Sequence, residues 1–166
     1  MTPFALTVSL TFVLVVPTAA ADNAATYLKD GRLTAELKFT SVQGGFAGFT
    51  GNTWNVKPDG SWTVTRVFNR RKFKPHLSGK LDAKQLKRLA DALAKAGIAR
   101  LKGSVPSRGA NPKVITVRYG KAKYSHSLSA GVSNPKEVKD KTGRAMLTLS
   151  KTIEMLMPWR KKPATR

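Results

Sequence analysis

Cysteine is absent from this chain of 166 residues, so no disulfide can stabilise its fold. The only two histidines, His76 and His126, lack the spacing of a zinc motif. The nine acidic residues are scattered, and Asp59 and Asp82 fit turn and helix-cap positions, so no obvious carboxylate pair is left for acid and base catalysis. The motifs of nucleophile elbows, P-loops and dinucleotide-binding loops are missing as well. We therefore predict a protein that is not an enzyme and has no metal site or cofactor.

Long hydrophobic runs are also scarce, and the one that exists lies at the N-terminus. The apolar stretch Phe4–Val16 covers about 13 residues, fewer than the roughly 20 that a membrane-spanning helix needs. Pro17 and the small residues Ala19–Ala21 follow, which is the pattern of a signal peptide cleaved after Ala21. Because no Lys or Arg precedes the run, an uncleaved anchor or a misassigned start codon are the alternatives. We predict that residues 1–21 are a signal peptide and that no stable membrane span remains after cleavage.

Acidic charge is scarce while basic charge is abundant. Lys and Arg number 30 against nine acidic residues, and the net charge of +21 falls entirely after residue 21. An exported chain without disulfides fits the periplasm or surface of a bacterium better than an animal secretion. We therefore predict a secreted or periplasmic protein of the bacterial cell envelope. The excess charge is either a site for anionic polymers or a general property of the surface.

Beyond the signal peptide, the chain divides into three parts by composition. Residues 22–32 form a polar N-terminal segment, residues 33–157 a single α+β domain, and residues 158–166 a basic C-terminal tail. A compact chain of this size buries roughly 68 to 70% of its unfolded surface, which is enough for a core without cross-links. We therefore expect one domain that is held together by packing.

The first part of the domain predicts three strands. Apolar and polar residues alternate in Leu33–Phe39, which is typical of a half-buried strand. Two further strands containing Trp54–Val56 and Trp62–Val67 flank Lys57–Gly60, whose Pro and Gly favour a hairpin turn. The three strands are therefore expected to pair in one sheet.

A helix over residues 82–96 is indicated by signals at both ends. Asp82 and Gln85 can exchange capping hydrogen bonds at its start, and Gly97 suits a left-handed C-terminal cap. Between these ends, apolar residues recur at helical spacing: Leu86, Leu89, Ala90 and Leu93. This face is expected to pack on the sheet.

The rest of the domain predicts a second hairpin and a second helix. A connection rich in Gly, Pro and Ser (Gly103–Pro112) leads into the strand Val114–Tyr119, and Gly120–Lys121 turns the chain back into Ala122–Leu128. A final helix over about Thr142–Met157 carries one apolar stripe, formed by Met146, Leu149, Ile153 and Leu156. The order βββ-α-ββ-α predicts an α+β fold, an antiparallel sheet with two helices on one face.

Two basic segments are candidates for binding anions. Segment 68–76 interleaves cations with two aromatic residues, and it either prolongs the first hairpin or forms an exposed loop. The tail places Trp159 beside further cations. Aromatic faces next to cations are typical of sites for anionic polymers. The candidate anion-binding residues are Arg70, Arg71, Lys72, Lys74, Arg160, Lys161 and Lys162.

A glycine-rich motif carries a family resemblance. The sequence Gly-Gly-Phe-Ala-Gly follows the first predicted strand, and a Leu-Asp-x-x-Gln-Leu box opens the first helix at Leu81. With the hairpin that follows, this pattern resembles the emfourin-like family of small α+β inhibitors of thermolysin-type zinc metallopeptidases, over about Leu33–Leu128. The resemblance implies a non-enzymatic domain whose partner is a secreted metallopeptidase. The candidate protein-binding residues are Gly44, Gly45, Phe46, Ala47, Gly48 and Phe49.

Several alternatives stay open at this point. Phe46 is either a core residue, with the glycines serving a bulge, or an aromatic anchor for a partner. The sequence departs from the family pattern at Asn111, where an acidic residue is expected, and in a longer hairpin around Asp59–Gly60. A secreted protein-binding domain, specifically a metallopeptidase inhibitor, is the leading prediction. The alternative is a basic envelope or extracellular module that binds anionic polymers through segment 68–76 and the tail, and an enzyme of unrecognised type comes third.

Overall fold

The structure is a computed structural model that describes residues 22–69, 71–106 and 109–160. The predicted signal peptide lies outside the described residues, and so does the tail after Arg160.

The described residues form nine strands and two α-helices. Before the first helix lie β1 (Leu28–Lys29), β2 (Arg32–Leu33), β3 (Leu37–Gln43), β4 (Thr50–Val56), β5 (Ser61–Phe68) and β6 (Arg71–Lys80). Helix α1 (Ala83–Ala96), β7 (Gly103–Val105), β8 (Lys113–Tyr119), β9 (Ala122–Leu128) and α2 (Lys141–Leu156) follow. Short 3-10 turns occur at Ala24–Thr26, Ile98–Arg100 and Pro135–Glu137.

Seven of these strands form one sheet in the order β6-β5-β4-β3-β8-β9-β7. Neighbouring strands are antiparallel except β7, which pairs in parallel with β9. Strands β1 and β2 form a separate two-stranded sheet. The predicted α+β class with a mostly antiparallel sheet is therefore confirmed.

The core lies between the sheet and the two helices, which pack against each other. Phe39 in β3 lies opposite Trp54 in β4 and Val117 in β8, and all three side chains are buried. The Trp54 Nε1 donates a hydrogen bond of 2.8 Å to the carbonyl of Met157, the residue after α2. This bond ties the centre of the sheet to the end of the second helix.

Helix α1 begins and ends where its capping residues predict. The Asp82 carboxylate accepts a hydrogen bond of 2.7 Å from the Gln85 backbone nitrogen, and the Gln85 side-chain oxygen accepts one of 2.9 Å from the Asp82 backbone nitrogen. Gly97 ends the helix at a φ of 65°. Leu86, Leu89 and Leu93 are buried, and each burial stabilises the fold by about 1.5–3 kcal/mol relative to exposure.

The predicted strand order differs from the structure in detail, because β1, β2, β6 and β7 are strands beyond the five in the order βββ-α-ββ-α. Leu33 belongs to β2, where it pairs with Leu28, and the chain bends before β3 begins at Leu37. Gly103–Val105 is a strand where only a connection was predicted. Its three residues are exposed at the sheet edge, so they carry no apolar alternation that a pattern could reveal. Of the two alternatives for segment 68–76, the prolonged hairpin is confirmed, because β6 begins at Arg71 and pairs with β5.

The polar N-terminal segment is anchored to the fold by Tyr27. This buried side chain donates a hydrogen bond of 2.8 Å to Asp22 Oδ2 and accepts one of 2.7 Å from the Ala99 nitrogen. Asp22 also forms an ion pair of 2.9 Å with Arg100. Burial, together with the hydrogen bond to Asp22, raises the pKa of the Tyr27 hydroxyl, so the phenol stays neutral.

Candidate functional site

The Gly44–Phe49 turn joins β3 to β4 and projects from one end of the sheet. The Gly48 nitrogen donates a hydrogen bond of 2.9 Å to the Gly45 carbonyl, which closes a tight turn around Phe46 and Ala47. Phe46 is fully exposed, and Phe49 is partly exposed. The core alternative for Phe46 is therefore wrong, and the ring is free to contact a partner.

Asn69 supports this turn from the β5–β6 connection. The side-chain Nδ2 donates a hydrogen bond of 2.9 Å to the Ala47 carbonyl, and the side-chain Oδ1 accepts one of 3.0 Å from the Phe49 backbone nitrogen. A side chain at Gly48 would overlap the Asn69 carboxamide, and Gly48 has a φ of +100° that other residues rarely adopt. The glycine thus lets the Asn69 side chain approach the backbone closely enough to brace the turn.

The connection before β8 supports the turn from the other side. The Gly44 nitrogen donates a hydrogen bond of 2.8 Å to the Pro112 carbonyl, and the Gln43 side chain donates one to the Asn111 carbonyl. A Cβ at Gly44 would lie 3.0 Å from the Asn111 Cα, so only glycine allows this approach without a shift. Three connections therefore meet at one end of the sheet and hold the Gly44–Phe49 turn in place.

The second feature is an open groove of about 1050 Å³, which we call the basic groove. It lies on the face of the sheet that carries the helices, beyond the part that they cover, and the segment after α2 closes one side. Cations on four separate elements line it: Arg66, Lys74, Lys113 and Arg160. Aromatic residues in its walls include Phe68, Phe73 and Trp159.

The basic groove brings together parts of both predicted anion-binding segments. Lys74 and Arg160 line it, whereas Arg71 is exposed on β6 and is not among its lining residues. Arg70, Lys161, Lys162 and the Lys72 side chain lie outside the described part of the structure. Sequence reasoning missed Arg66 and Lys113. The only sequence signal for them is the alternation of side chains along the strands, which places Arg66 and Lys113 on the face of the sheet that carries the helices.

Contacts between the two segments fix one wall of the groove. His76 Nε2 lies 3.3 Å from the Trp159 carbonyl, within hydrogen-bonding distance. The Arg160 guanidinium carbon lies 4.1 Å from the centre of the Trp159 ring, in a cation–π contact. Strand β6 and the residues after α2 thus form one surface, although they are far apart in sequence.

Acidic side chains are rare in the basic groove. Glu154 on α2 lines it and accepts a hydrogen bond of 3.0 Å from the Ser150 hydroxyl. No ion pair joins any of the four lining cations to a carboxylate within residues 22–69, 71–106 and 109–160. The groove therefore presents uncompensated positive charge beside one fixed carboxylate.

A polar cluster, buried at His126 and exposed at Asp140, links β9 to the start of α2. His126 Nδ1 lies 3.0 Å from the Tyr124 hydroxyl, and Nε2 lies 3.3 Å from Asp140 Oδ2. Asp140 also caps α2 through the Gly143 nitrogen. Burial lowers the pKa of His126, and the nearby Asp140 carboxylate opposes that shift. His126 lies in the hairpin formed by β8 and β9, and its side chain is buried.

Within residues 22–69, 71–106 and 109–160, no group of three or more His, Asp or Glu side chains is placed to hold a metal ion. No helix in the described part of the chain is long and apolar enough to cross a membrane.

No known protein family and no curated protein matches this sequence. The likeness to emfourin-like proteins therefore rests on the motif residues alone. The turn that carries the motif and the basic groove are the two features from which a function can be argued.

Proposed function

We propose that this chain is a secreted or periplasmic, non-enzymatic protein-binding domain, and specifically an inhibitor of thermolysin-type zinc metallopeptidases. The proposal is carried by the full exposure of Phe46 on a turn that Asn69 and Pro112 hold by hydrogen bonds. An aromatic side chain that fills a pocket of the partner is a common source of binding energy. The emfourin-like motif supports the choice of a metallopeptidase as the partner.

The bracing of the turn supports inhibition because it lowers the cost of binding. Ordering a mobile side chain on association costs about 0.5–1.5 kcal/mol, so an inhibitor gains affinity when its contact loop is already fixed. The Gly44–Phe49 turn meets this condition through backbone and side-chain hydrogen bonds on both sides. Phe46 can then enter an apolar recess without further ordering of the chain.

Titration of the purified domain into a thermolysin-type peptidase tests this function. Cleavage of a small peptide substrate is followed at about 0.5 M salt, where attraction between exposed charges is largely screened. We expect stoichiometric inhibition and an intact domain in mass spectra taken after the assay. A peptidase that keeps full activity, or that digests the domain, would contradict the proposal.

Export is tested separately from inhibition. Mass spectrometry of the protein recovered outside the cytoplasm should show a chain that begins at Asp22 or within a few residues of it. An intact Met1 on protein recovered from the cytoplasm would contradict the proposed location.

A second function, binding of anionic polymers, is favoured by the basic groove. The groove unites Phe73 and Lys74 of β6 with Trp159 and Arg160 after α2, and its cations lack carboxylate partners among the described residues. Cations that face one groove repel each other, and an anion bound there would relieve this repulsion. Neutralisation of Arg66 and Lys113 should abolish binding of an anionic polymer, whereas neutralisation of other exposed cations should leave it intact. Equal losses in both cases would mean that the overall positive charge, and not a site, attracts the polymer.

A further inference from the structure

We infer that the basic groove binds an acidic polysaccharide, a sugar polymer that carries hydroxyl groups beside its carboxylates. This inference rests on the second proposed function and names its ligand class. It follows from how charge, neutral polar groups and aromatic rings are distributed along the groove.

The cations of the groove are widely spaced. Arg66 lies on β5 and Lys113 on β8, with β4 and β3 between them. Neighbouring strands are about 4.8 Å apart, so these two positions are separated by about 14 Å across the sheet. A ligand that reaches both cations must be extended, and its charges need not be close together.

Neutral polar side chains fill the space between these cations. Arg66 lies opposite Asn52, Asn52 lies opposite Ser41, and Thr50 lies two residues from Asn52 on the same face. The side chains of Asn52, Ser41 and Thr50 line the groove, and none of them forms a hydrogen bond within the described residues. Amide and hydroxyl groups both donate and accept hydrogen bonds, which suits sugar hydroxyls.

Glu154 distinguishes between two kinds of polyanion. Its carboxylate is held on the groove wall by the Ser150 hydroxyl. A nucleic acid carries a phosphate at every nucleotide, and the Glu154 carboxylate repels a phosphate that lies beside it. A sugar hydroxyl, by contrast, can donate a hydrogen bond to the Glu154 carboxylate. The presence of Glu154 therefore favours a polymer that carries many hydroxyls beside its charged groups.

The aromatic walls fit the same ligand. Phe68 and Phe73 are partly exposed at the groove, and Trp159 has one ring face covered by Arg160. The electron-rich face of an aromatic ring attracts the weakly positive C–H groups that one side of a sugar ring presents. Apolar contact with the aromatic rings and ionic contact with the carboxylates would thus act on the same chain.

Binding of an oligogalacturonate by the purified full chain tests this inference. Isothermal titration calorimetry gives the affinity, and Trp fluorescence reports on the groove because Trp54 and Trp159 line it. A neutral oligosaccharide and an oligothymidylate of similar length serve as comparison ligands. We expect the oligogalacturonate to bind more tightly than both.

Matched variants locate the site. The double variant Arg66→Gln, Lys113→Gln should weaken oligogalacturonate binding by about tenfold or more. Each substitution removes a charge-assisted hydrogen bond from a cation of the groove to a carboxylate of the ligand, and such bonds are stronger than neutral ones. The control Lys84→Gln, Arg88→Gln removes two exposed cations from α1 and should change the affinity by less than about twofold. Equal losses in the two variants would overturn the assignment of the groove.

Glu154→Gln tests the choice of polymer. Removal of the carboxylate should strengthen oligothymidylate binding and should not strengthen oligogalacturonate binding. If both ligands gain equally, or if oligothymidylate binds more tightly than oligogalacturonate to the unaltered chain, the polysaccharide inference is wrong while binding of anionic polymers stands. If none of the charged ligands binds, the second proposed function fails as well.

Discussion

The Gly44–Phe49 turn and the basic groove are neighbours on the sheet, yet they are organised by different forces. The turn is fixed by neutral hydrogen bonds with the Asn69 side chain and the Pro112 carbonyl, and its tip is an apolar ring. The groove is lined by cations without ion-pair partners among the described residues. Neutral hydrogen bonds and apolar contacts respond little to salt, whereas exposed charges respond strongly. The two surfaces can therefore be separated by experiment.

The common scaffold of both surfaces gives the largest expected effect. Leu89 lies on the core-facing side of α1 and is completely buried, so Leu89→Ala should lower the free energy of unfolding by about 2–5 kcal/mol. Peptidase inhibition and polyanion binding should be lost at the same urea concentration, and the unfolding midpoint should be lower than that of the unaltered protein. The exposed Lys84 on the same helix is the control, and its replacement by Ala should change stability by less than about 0.5 kcal/mol. A similarly small effect at Leu89 would place that face of the helix in solvent.

The turn alone is tested by Phe46→Ala. The ring should contribute about 2 kcal/mol or more to the complex, so inhibition of the peptidase should weaken by about 30-fold. Stability should be unchanged, because a fully exposed ring loses no packing when it is removed. Phe73→Ala is the matched control, since Phe73 is an exposed aromatic residue of the groove. Equal loss of inhibition in the two variants would show that the turn is not the contact surface.

Salt should separate the two surfaces without any mutation. When salt is raised from about 50 to 200 mM, binding of a polyanion to the groove should weaken by roughly tenfold, because bound counterions are released on association. Inhibition of the peptidase should change by less than about twofold over the same range. Titrations of both ligands in the same buffers measure the difference. An equal salt dependence of the two affinities would mean that charge dominates binding at both surfaces.

The bracing of the turn is tested by Asn69→Gly. Glycine tolerates the φ of +45° at this position but removes both side-chain hydrogen bonds to the turn. Inhibition should weaken by about fivefold or more, since each of the two lost hydrogen bonds contributes about 1 kcal/mol. Hydrogen exchange at the Phe49 amide should become faster, and binding to the groove should not change. Unaltered exchange at Phe49 would show that Asn69 does not hold the turn.

The smallest expected effect is a pH dependence of stability through His126. Burial lowers the pKa of this residue in the folded state, so below the ordinary value of about 6.5 the unfolded chain binds the proton more readily. Stability should therefore decline as the pH falls through this range, down to the folded-state pKa. Urea titrations at several pH values measure the decline, and His126→Gln should flatten it. A stability that rises as the pH is lowered would contradict a lowered pKa of His126 in the folded state.

Local signals predicted some of these elements closely. The bounds of α1 depend on Asp82, Gln85 and Gly97, which act within one turn of the helix ends. The helix bounds can therefore be predicted from neighbouring residues in the sequence alone. The hairpin at Lys57–Gly60 is similar, since Gly60 adopts a φ of +83° in a turn closed by a hydrogen bond of 2.8 Å from the Lys57 nitrogen to the Ser61 carbonyl. Where the stabilising contacts are close in sequence, pattern reading succeeds.

The sites were harder to predict because their parts are distant in sequence. The groove joins Arg66 to Lys113 and Arg160 through the strand order, which no local pattern determines. The exposure of Phe46 depends on the approach of Asn69 and Asn111 to the glycines, and an apolar residue in a turn is equally compatible with burial. The motif identified the turn residues, and tertiary contacts decided which of them face solvent.

The outermost strands of the seven-stranded sheet bear on whether the sheet can pair with another copy of the chain. At one edge, β6 carries Pro75 and exposed cations, and its pairing with β5 is irregular between Val64 and Val67. At the other edge, β7 is only three residues long. Short, charged or proline-interrupted edges are poor templates for the edge of another sheet. Lys74 and its neighbours on β6 therefore also discourage the growth of intermolecular sheets, so substitutions that remove charge from this strand should be checked for aggregation before any loss of binding is interpreted.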